Sequence, residues 1–321
     1  MYKKSLVFGK FMPLHKGHLA LIDFALSQSE SIVLSMSYTP QDPVPKAIRI
    51  SWLTALYGQN TNIELACELD DFNDDNLPIE QATKLWATFI QARFEGIDAF
   101  FCSEDYGQPL SKHLGIPCVL FDKARNLVPI SATKIRENPL KNWDYLPKIV
   151  QPYFVKKVCL FGPESVGKST LSKHLATYFN TDFVHEVARD LVSDNEFSVG
   201  DIIRIGHAQQ AAVEQHIQTA NKVLFCDTDL ITTQLYSDYY LHQIPPVLFE
   251  LEKTSSFDLY CLLNIDVPWV ADGLRDLGHK RKEMYELFKK ALVDRGIPFI
   301  DVSGNWAARQ QIVIDAVNAW F

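Results

Sequence analysis

The stretch GPESVGKST, residues 162–170, constrains the fold of this chain more than any other. It fits Gly-x-x-x-x-Gly-Lys-Ser/Thr in full, stands directly behind the apolar run KKVCLF and leads into a helical pattern. Such a loop turns successive backbone N–H groups toward phosphate and works only between a strand and a helix, so it commits its surroundings to a parallel α/β sheet. A loop of this kind usually opens its domain. Here residues 1–155 stand in front of the strand that feeds it, enough for a second domain with its own core.

Two series of apolar runs alternate with amphipathic stretches. The first has strand candidates at 5–9, 31–37, 62–69, 99–103 and 116–122, with helical patterns over 17–28, 45–58, 78–95 and 107–114. The second has strand candidates at 156–162, 222–227, 259–266 and 297–303, with helical patterns over 168–179, 200–221, 281–295 and 306–319. Such alternation sets parallel strands side by side and covers both faces with helices. The expected fold is α/β, with two doubly wound parallel-sheet domains. Residues 137–156 separate the series, with three prolines and no strand periodicity, which gives domains 1–152 and 153–321. Trp143, Tyr145, Leu146, Tyr153 and Phe154 suggest a packed connector there rather than a loose tether.

Composition narrows the partners. Hydrophobic residues make up 47% and charged residues 22%, the balance of a folded globular protein. A net charge of −8 argues against a nucleic-acid-binding surface while leaving room for a local basic pocket. No apolar run approaches a membrane span, and MYKKSLVFGKF is too short and too soon interrupted for a signal peptide. No membrane or nucleic-acid partner is expected, and the cytoplasm is the expected location. Cys67, Cys102, Cys118, Cys159, Cys226 and Cys261 are widely spaced, form no Cys-x-x-Cys pair and read as buried free thiols.

After the first strand comes GKFMPLHKGH, residues 9–18. Gly9 allows a sharp turn that brings backbone close to a ligand, with Lys10 and Phe11 behind it. His15 and His18 bracket Gly17 where the next helix should start. Free N–H groups at that point attract phosphate, and two imidazoles add donors for charge that builds on a phosphate oxygen. As a metal pair the histidines lack a third ligand of suitable spacing. Further on, ISATKIR (130–136) offers Ser131 as the N-cap of a short helix, with Thr133 in its first turn and Lys134 and Arg136 nearby. Together the two segments can hold both ends of a triphosphate.

In the second half the glycine-rich loop offers Gly162, Glu164, Ser165, Val166, Gly167, Lys168, Ser169 and Thr170 to a nucleotide. Lys168 reaches the β and γ oxygens, and the Ser169 hydroxyl ligates magnesium. KVLFCDTD ends a strand at Asp227, with Asp229 two residues on. Carboxylates at such an edge can hold the metal, take a proton from an acceptor hydroxyl or bind a sugar. Glu186 and Arg189 of HEVARD line the same crevice or form a solvated helix start. DGLRDLGHKR (272–281) presents Arg275, Lys280 and Arg281 as a lid on phosphates, or as a solvated charge run. No Asn-Lys-x-Asp motif occurs, which disfavours a GTPase switch.

The histidine loop and the Ile-Ser-x-Thr-x-x-Arg segment together resemble the nucleotidyltransferase superfamily. That resemblance implies that His15, His18, Ser131, Thr133 and Arg136 hold the triphosphate of ATP, and that AMP passes to a phosphate acceptor with release of pyrophosphate. With a P-loop kinase behind it, the chain is similar to the bifunctional NadR-type family, nicotinamide mononucleotide (NMN) adenylyltransferase fused to ribosylnicotinamide kinase. SATKIRENP, GPESVGKS, FNT (179–181), DTDLITTQ (227–234) and WVADGLRDLG (269–278) stand in that family's order.

The family implies an N-terminal Rossmann-like nucleotidyltransferase domain and a C-terminal P-loop kinase domain. The second would phosphorylate nicotinamide riboside with ATP; the first would join the mononucleotide to AMP, giving NAD. Magnesium is the implied cofactor, at Ser169 and Asp227. Asp227 is also the expected base or sugar ligand, with Glu186 and Asp229 competing. Trp86, Tyr106 and Trp269 are weak candidates to stack on nicotinamide, each with a structural alternative. Regulatory members carry an N-terminal DNA-binding helix-turn-helix; the first strand here begins within a few residues of Met1, so neither that segment nor repression is expected. The expected partners are ATP, nicotinamide riboside, NMN and NAD, and a homo-oligomer is left open. Two alternatives remain: a fusion acting on coenzyme A precursors, and a nucleotide-sensing protein with degenerate sites. Intact His15, His18, Lys168 and Ser169 speak against the second.

Overall fold

Strand and helix alternate through two separate sheets in this computed structural model, which describes residues 1–71, 77–192, 196–271 and 275–321. The chain divides into Met1–Val150 and Gln151–Phe321.

The first unit runs β1 (Tyr2–Gly9), α1 (Lys16–Gln28), β2 (Ser29–Tyr38), α2 (Lys46–Tyr57), β3 (Ile63–Leu69), α3 (Ile79–Arg93), β4 (Ala99–Cys102), α4 (Gly107–Leu114), β5 (Cys118–Leu120) and α5 (Ala132–Glu137). Its strands lie in the order β3-β2-β1-β4-β5, all parallel. The chain moves outward from β1 through β2 to β3, then returns to lay β4 and β5 on the other side. The order reverses between β1 and β4, and in open parallel sheets ligands bind at such a point, at the carboxyl ends of the strands. Leu6, Val7, Phe100 and Phe101 are fully buried, so successive residues on both faces are apolar and these strands read as continuous runs.

The second unit runs β6 (Lys156–Phe161), α6 (Lys168–Tyr178), β7 (Phe183–Val184), α7 (Ala188–Leu191), α8 (Val199–His216), β8 (Val223–Asp227), α9 (Leu230–Leu241), α10 (Pro246–Thr254), β9 (Leu259–Leu263), α11 (Arg281–Asp294), β10 (Phe299–Val302) and α12 (Trp306–Asn318). Its parallel order is β10-β9-β6-β8-β7, with β6 central: the chain steps out to β7, returns to β8 beside β6, and then passes β6 to lay β9 and β10 on its other side.

Helix α9 carries no clear periodic signal in the sequence. Leu230, Ile231, Thr232, Thr233, Gln234 and Ser237 of α9 are all buried, so that helix has no clean polar face for a 3.6-residue pattern to reveal. In the connecting stretch Trp143 and Leu146 are buried, while Tyr153 is exposed. All six cysteines are free thiols, but adjacent strands bring Cys102 and Cys118 to a sulfur–sulfur distance of 3.5 Å. No described helix is long and apolar enough to cross a membrane.

Candidate active sites

In the first unit Gly9 is still paired with Met36, and its φ lies outside the left-handed region, so Gly9 does not make the turn expected of it. Phe11 makes it instead, with φ 45°; its buried ring stands edge-on to His18 at 5.0 Å between centroids. His15 is the N-cap of α1: its Nδ1 accepts from the N–H of Gly17 (3.1 Å) and of His18 (3.3 Å). His18 Nδ1 in turn accepts from the His15 N–H at 3.3 Å. A capping box usually needs a hydroxyl and a carboxylate or amide; here two imidazoles fill both roles and stack, with centroids 3.7 Å apart. With both Nδ1 atoms accepting, the proton of each neutral ring sits on Nε2. A Cβ on Gly17 would come within 3.0 Å of the His15 ring, so the stack requires glycine there.

Burial pushes the His15 pKa down to about 4, helped by the Arg125 charge. Burial, then His15 and Arg125, hold His18 well below its usual value. Both rings are neutral at pH 7 and present Nε2–H donors. The sign of the pH dependence follows. Unfolded His15 takes up a proton near pH 6.5, the folded one near 4, so its contribution to stability is complete above 6.5 and is lost as pH falls toward 4. The thermal midpoint of this unit, followed by circular dichroism, should fall across that window. His15→Asn keeps an acceptor at the cap and should flatten the fall.

Ser131 caps α5 by accepting from the Lys134 N–H at 3.2 Å. Arg136 donates to the Thr133 hydroxyl at 3.1 Å and to the carbonyl of Met12, which ties this helix to the histidine loop across 124 residues of sequence. Two arginines carry no sequence signal. Arg125, at φ 55°, donates to Ile130 O (3.1 Å) and Glu104 (2.8 Å) in a loop that Asp122 shapes by accepting from the N–H groups of Asn126, Leu127 and Val128. Arg49 is fully buried; it donates to Lys10 O (2.6 Å), Ser37 O (3.1 Å) and Asp42, clamping the start of the histidine loop to the end of β2. Trp86 and Tyr106 meet on Phe8, at 5.7 and 5.5 Å between centroids, and pack against an apolar cluster while staying partly exposed.

In the second unit the P-loop follows β6. Gly162 (φ 142°) and Gly167 (φ 90°) adopt backbone that side chains rarely tolerate, and Gly167 opens α6. The buried Lys168 ammonium donates to the carbonyls of Gly162 and Pro163, 2.9 Å each, and so spans the loop. Arg309 of α12, fully buried and without a signal in the sequence, fastens the loop. It donates to Val166 O (2.8 Å), Asn264 O (2.7 Å) and Gly304 O (2.9 Å) and pairs with Asp266.

Beside the loop lies a cavity of about 180 Å³. Glu164–Thr170 form part of its wall; Glu186, Arg189, Gln209, Thr228, Tyr236 and Arg275 are also in it, with Phe197, Ile202 and Ile205 adding apolar surface. Glu186 pairs with Arg189 at 3.0 Å, so both face the crevice. The Glu164 carboxylate, its pKa raised by burial, accepts from Leu277 N–H (2.8 Å) and from the Trp269 indole (3.4 Å). Trp269 packs on Gly278 and is not among the residues lining this cavity. Of the expected lid, residues 272–274 lie outside the described residues. Arg281 reaches toward Ser165 O at 3.5 Å, and Lys280 donates to the Tyr239 hydroxyl at 2.7 Å.

The two aspartates after β8 separate. Both oxygens of Asp227 are buried without a hydrogen-bond partner. Burial raises its pKa to about 6 against the pull of Lys168 and the Ser169 hydroxyl. An orphan carboxylate beside a hydroxyl is a hard oxygen set that fits magnesium. Asp229 is fully engaged: it caps α9 through Thr232 N–H (2.9 Å) and accepts from the Tyr260 hydroxyl (2.8 Å). It is a structural cap, which corrects its placing as a substrate ligand. Thr228, held at φ 81° between them, turns into the cavity wall with a buried, unpartnered hydroxyl.

A family model described as AAA domain matches residues 157–309. The chain is 36% identical over 328 residues to the trifunctional NAD biosynthesis/regulator protein NadR of Escherichia coli (strain K12), covering 93% of this chain and 78% of that protein. Its fold is similar to a NadR protein solved in complex with NR, at a TM-score of 0.81 and 23% identity, over 99% of this chain and 96% of that one. A NadR protein in complex with NAD and AMP-PNP matches at the same TM-score and identity, over 100% and 96%. With more than a third of its residues shared over nearly its whole length, the chain belongs to the NadR family.

Proposed function

We propose that the second unit phosphorylates nicotinamide riboside with ATP, and that the first joins the resulting mononucleotide to AMP, releasing pyrophosphate and NAD. The observation that carries this reading is that each unit has its own phosphate-binding constellation at the carboxyl ends of its strands. One is a paired Nε2–H donor set tied to Arg136; the other is a P-loop beside a walled cavity.

In the first unit no side chain need act as nucleophile. The acceptor's phosphate oxygen attacks the α-phosphorus while His15, His18, Thr133 and Arg136 hold the triphosphate and stabilise charge on its oxygens. In the second unit Lys168 binds the β and γ oxygens, and Ser169 with Asp227 would hold magnesium, which supplies charge neutralisation at the phosphates. Glu186 stands on the cavity wall, oriented by Arg189, and takes the proton from the riboside hydroxyl as its oxygen attacks the γ-phosphorus. Asp227 lies behind that wall and serves the cation. The cytoplasm, where ATP and free thiols coexist, suits both reactions.

The test is incubation with magnesium-ATP and nicotinamide riboside, followed by separation of products. Mononucleotide should appear first and NAD after it, and chelation of magnesium should stop both. Adenylylation of 4′-phosphopantetheine in place of the mononucleotide would overturn the assignment in favour of coenzyme A precursors.

A further inference from the structure

Helix α8 buries Ile202, Ile205, Gly206, Gln209 and Val213. That spacing makes one core-facing stripe, and Gln209 is its one member with a polar side chain. It is 2% exposed. A carboxamide so placed is destabilising unless both of its ends find partners. They do, and both partners belong to one turn. Oε1 accepts from the Val187 N–H at 3.0 Å, and Nε2 donates to the His185 carbonyl at 3.5 Å. Glu186 is the residue between them. Because the Val187 N–H can only donate, the amide has a single orientation, oxygen toward Val187 and nitrogen toward His185.

The turn runs from the end of β7 at Val184 to the start of α7 at Ala188, and Val187, the N-cap of α7, makes no side-chain bond to its helix. The Glu186–Arg189 and His185–Asp190 pairs join residues three and five apart, so they fix the segment to itself. Gln209 reaches it across 22 and 24 residues and ties it to α8, whose Ile202, Ile205 and Gln209 form part of the same cavity wall as Glu186. We infer that Gln209 is a positioning residue for Glu186: by gripping the backbone on both sides of it, the carboxamide sets where the carboxylate stands against the acceptor hydroxyl. The inference rests on the kinase reading above, with Glu186 as the base. A base must stay within hydrogen-bond reach of the proton it takes, and a displacement of about 1 Å costs up to roughly 10²-fold in rate.

The test is a double-mutant cycle in the riboside phosphorylation assay, with kcat and KM measured separately. Gln209→Met keeps length and bulk but loses both bonds; it should lower kcat roughly ten-fold and leave KM for ATP and for the riboside unchanged. In a Glu186→Gln chain, itself slower, the same change should cost nothing further, because no base remains to be misplaced. An equal fall in both backgrounds would make Gln209 a prop of the fold and overturn the proposal. A raised KM for the riboside with kcat unchanged would mark a direct ligand of the acceptor and overturn it too, as would an unchanged kcat. If Gln209→Met does not fold, Gln209→Asn, one methylene shorter and unable to reach both partners, takes its place with the same readings. Glu186→Gln with undiminished kcat removes the base reading and this inference together; a slow Glu186→Gln chain beside a Gln209→Met chain of full kcat removes the inference alone.

Discussion

Lys168→Ala is expected to lower riboside phosphorylation by about 10²- to 10³-fold while added mononucleotide is still converted to NAD. The ammonium sits 2.9 Å from two loop carbonyls and is buried, so it is already placed where phosphate oxygens must lie. Alanine removes that charge from a site with little water to replace it. It also leaves the Gly162 and Pro163 carbonyls without their donor, at a cost to stability of about 1 kcal/mol. That cost is too small to unfold the unit, which Arg309 continues to hold through Val166. The measurement is the rate of mononucleotide formation from riboside, with NAD formation from supplied mononucleotide as the internal control. Loss of both in a folded chain would show that the two activities do not reside in separate sites.

His18→Ala should give the mirror image: NAD formation falls by about 10²- to 10³-fold, and riboside phosphorylation persists. Here chemistry and structure must be separated, because His18 is also half of the cap. Its Nδ1 accepts the His15 N–H, and its ring stacks on His15 and meets Phe11. Alanine therefore frays the start of α1 as well as removing a donor. Glutamine at the third helical position can restore the reciprocal bond of a capping box without presenting an imidazole N–H. His18→Gln should recover thermal stability and not activity. Recovery of both would assign His18 to the cap alone.

The histidine loop and the P-loop were legible because their chemistry is local. Each packs its donors into about ten residues between one strand and one helix, and glycine, histidine and lysine are chosen there for reasons that short-range geometry settles. Most of what holds those loops was not. Arg49 and Arg309 are the largest fully buried side chains, and they bind carbonyls as far as 39 and 143 residues away. In sequence each is one more arginine in an amphipathic helix. In the sequence Gly9 looks like the turn because glycine usually is, yet Phe11 takes the left-handed conformation and packs its ring on His18. Asp227 and Asp229 look equivalent in the sequence; only the packing of Thr232 and Tyr260 shows that one is spent on a helix cap while the other is left without a partner.

The order of apolar runs determined by itself that this chain folds as two parallel α/β units, and the two short motifs determined that each binds phosphate. Backbone conformation and helix termini are local properties, written within a few residues. Tertiary structure decided which carboxylate is left buried without a partner, which tryptophan bonds Glu164 beside the P-loop and which one closes on Gly167. Those depend on burial and on partners far along the chain, and a buried group acquires its role only when folding has removed water and chosen its neighbours.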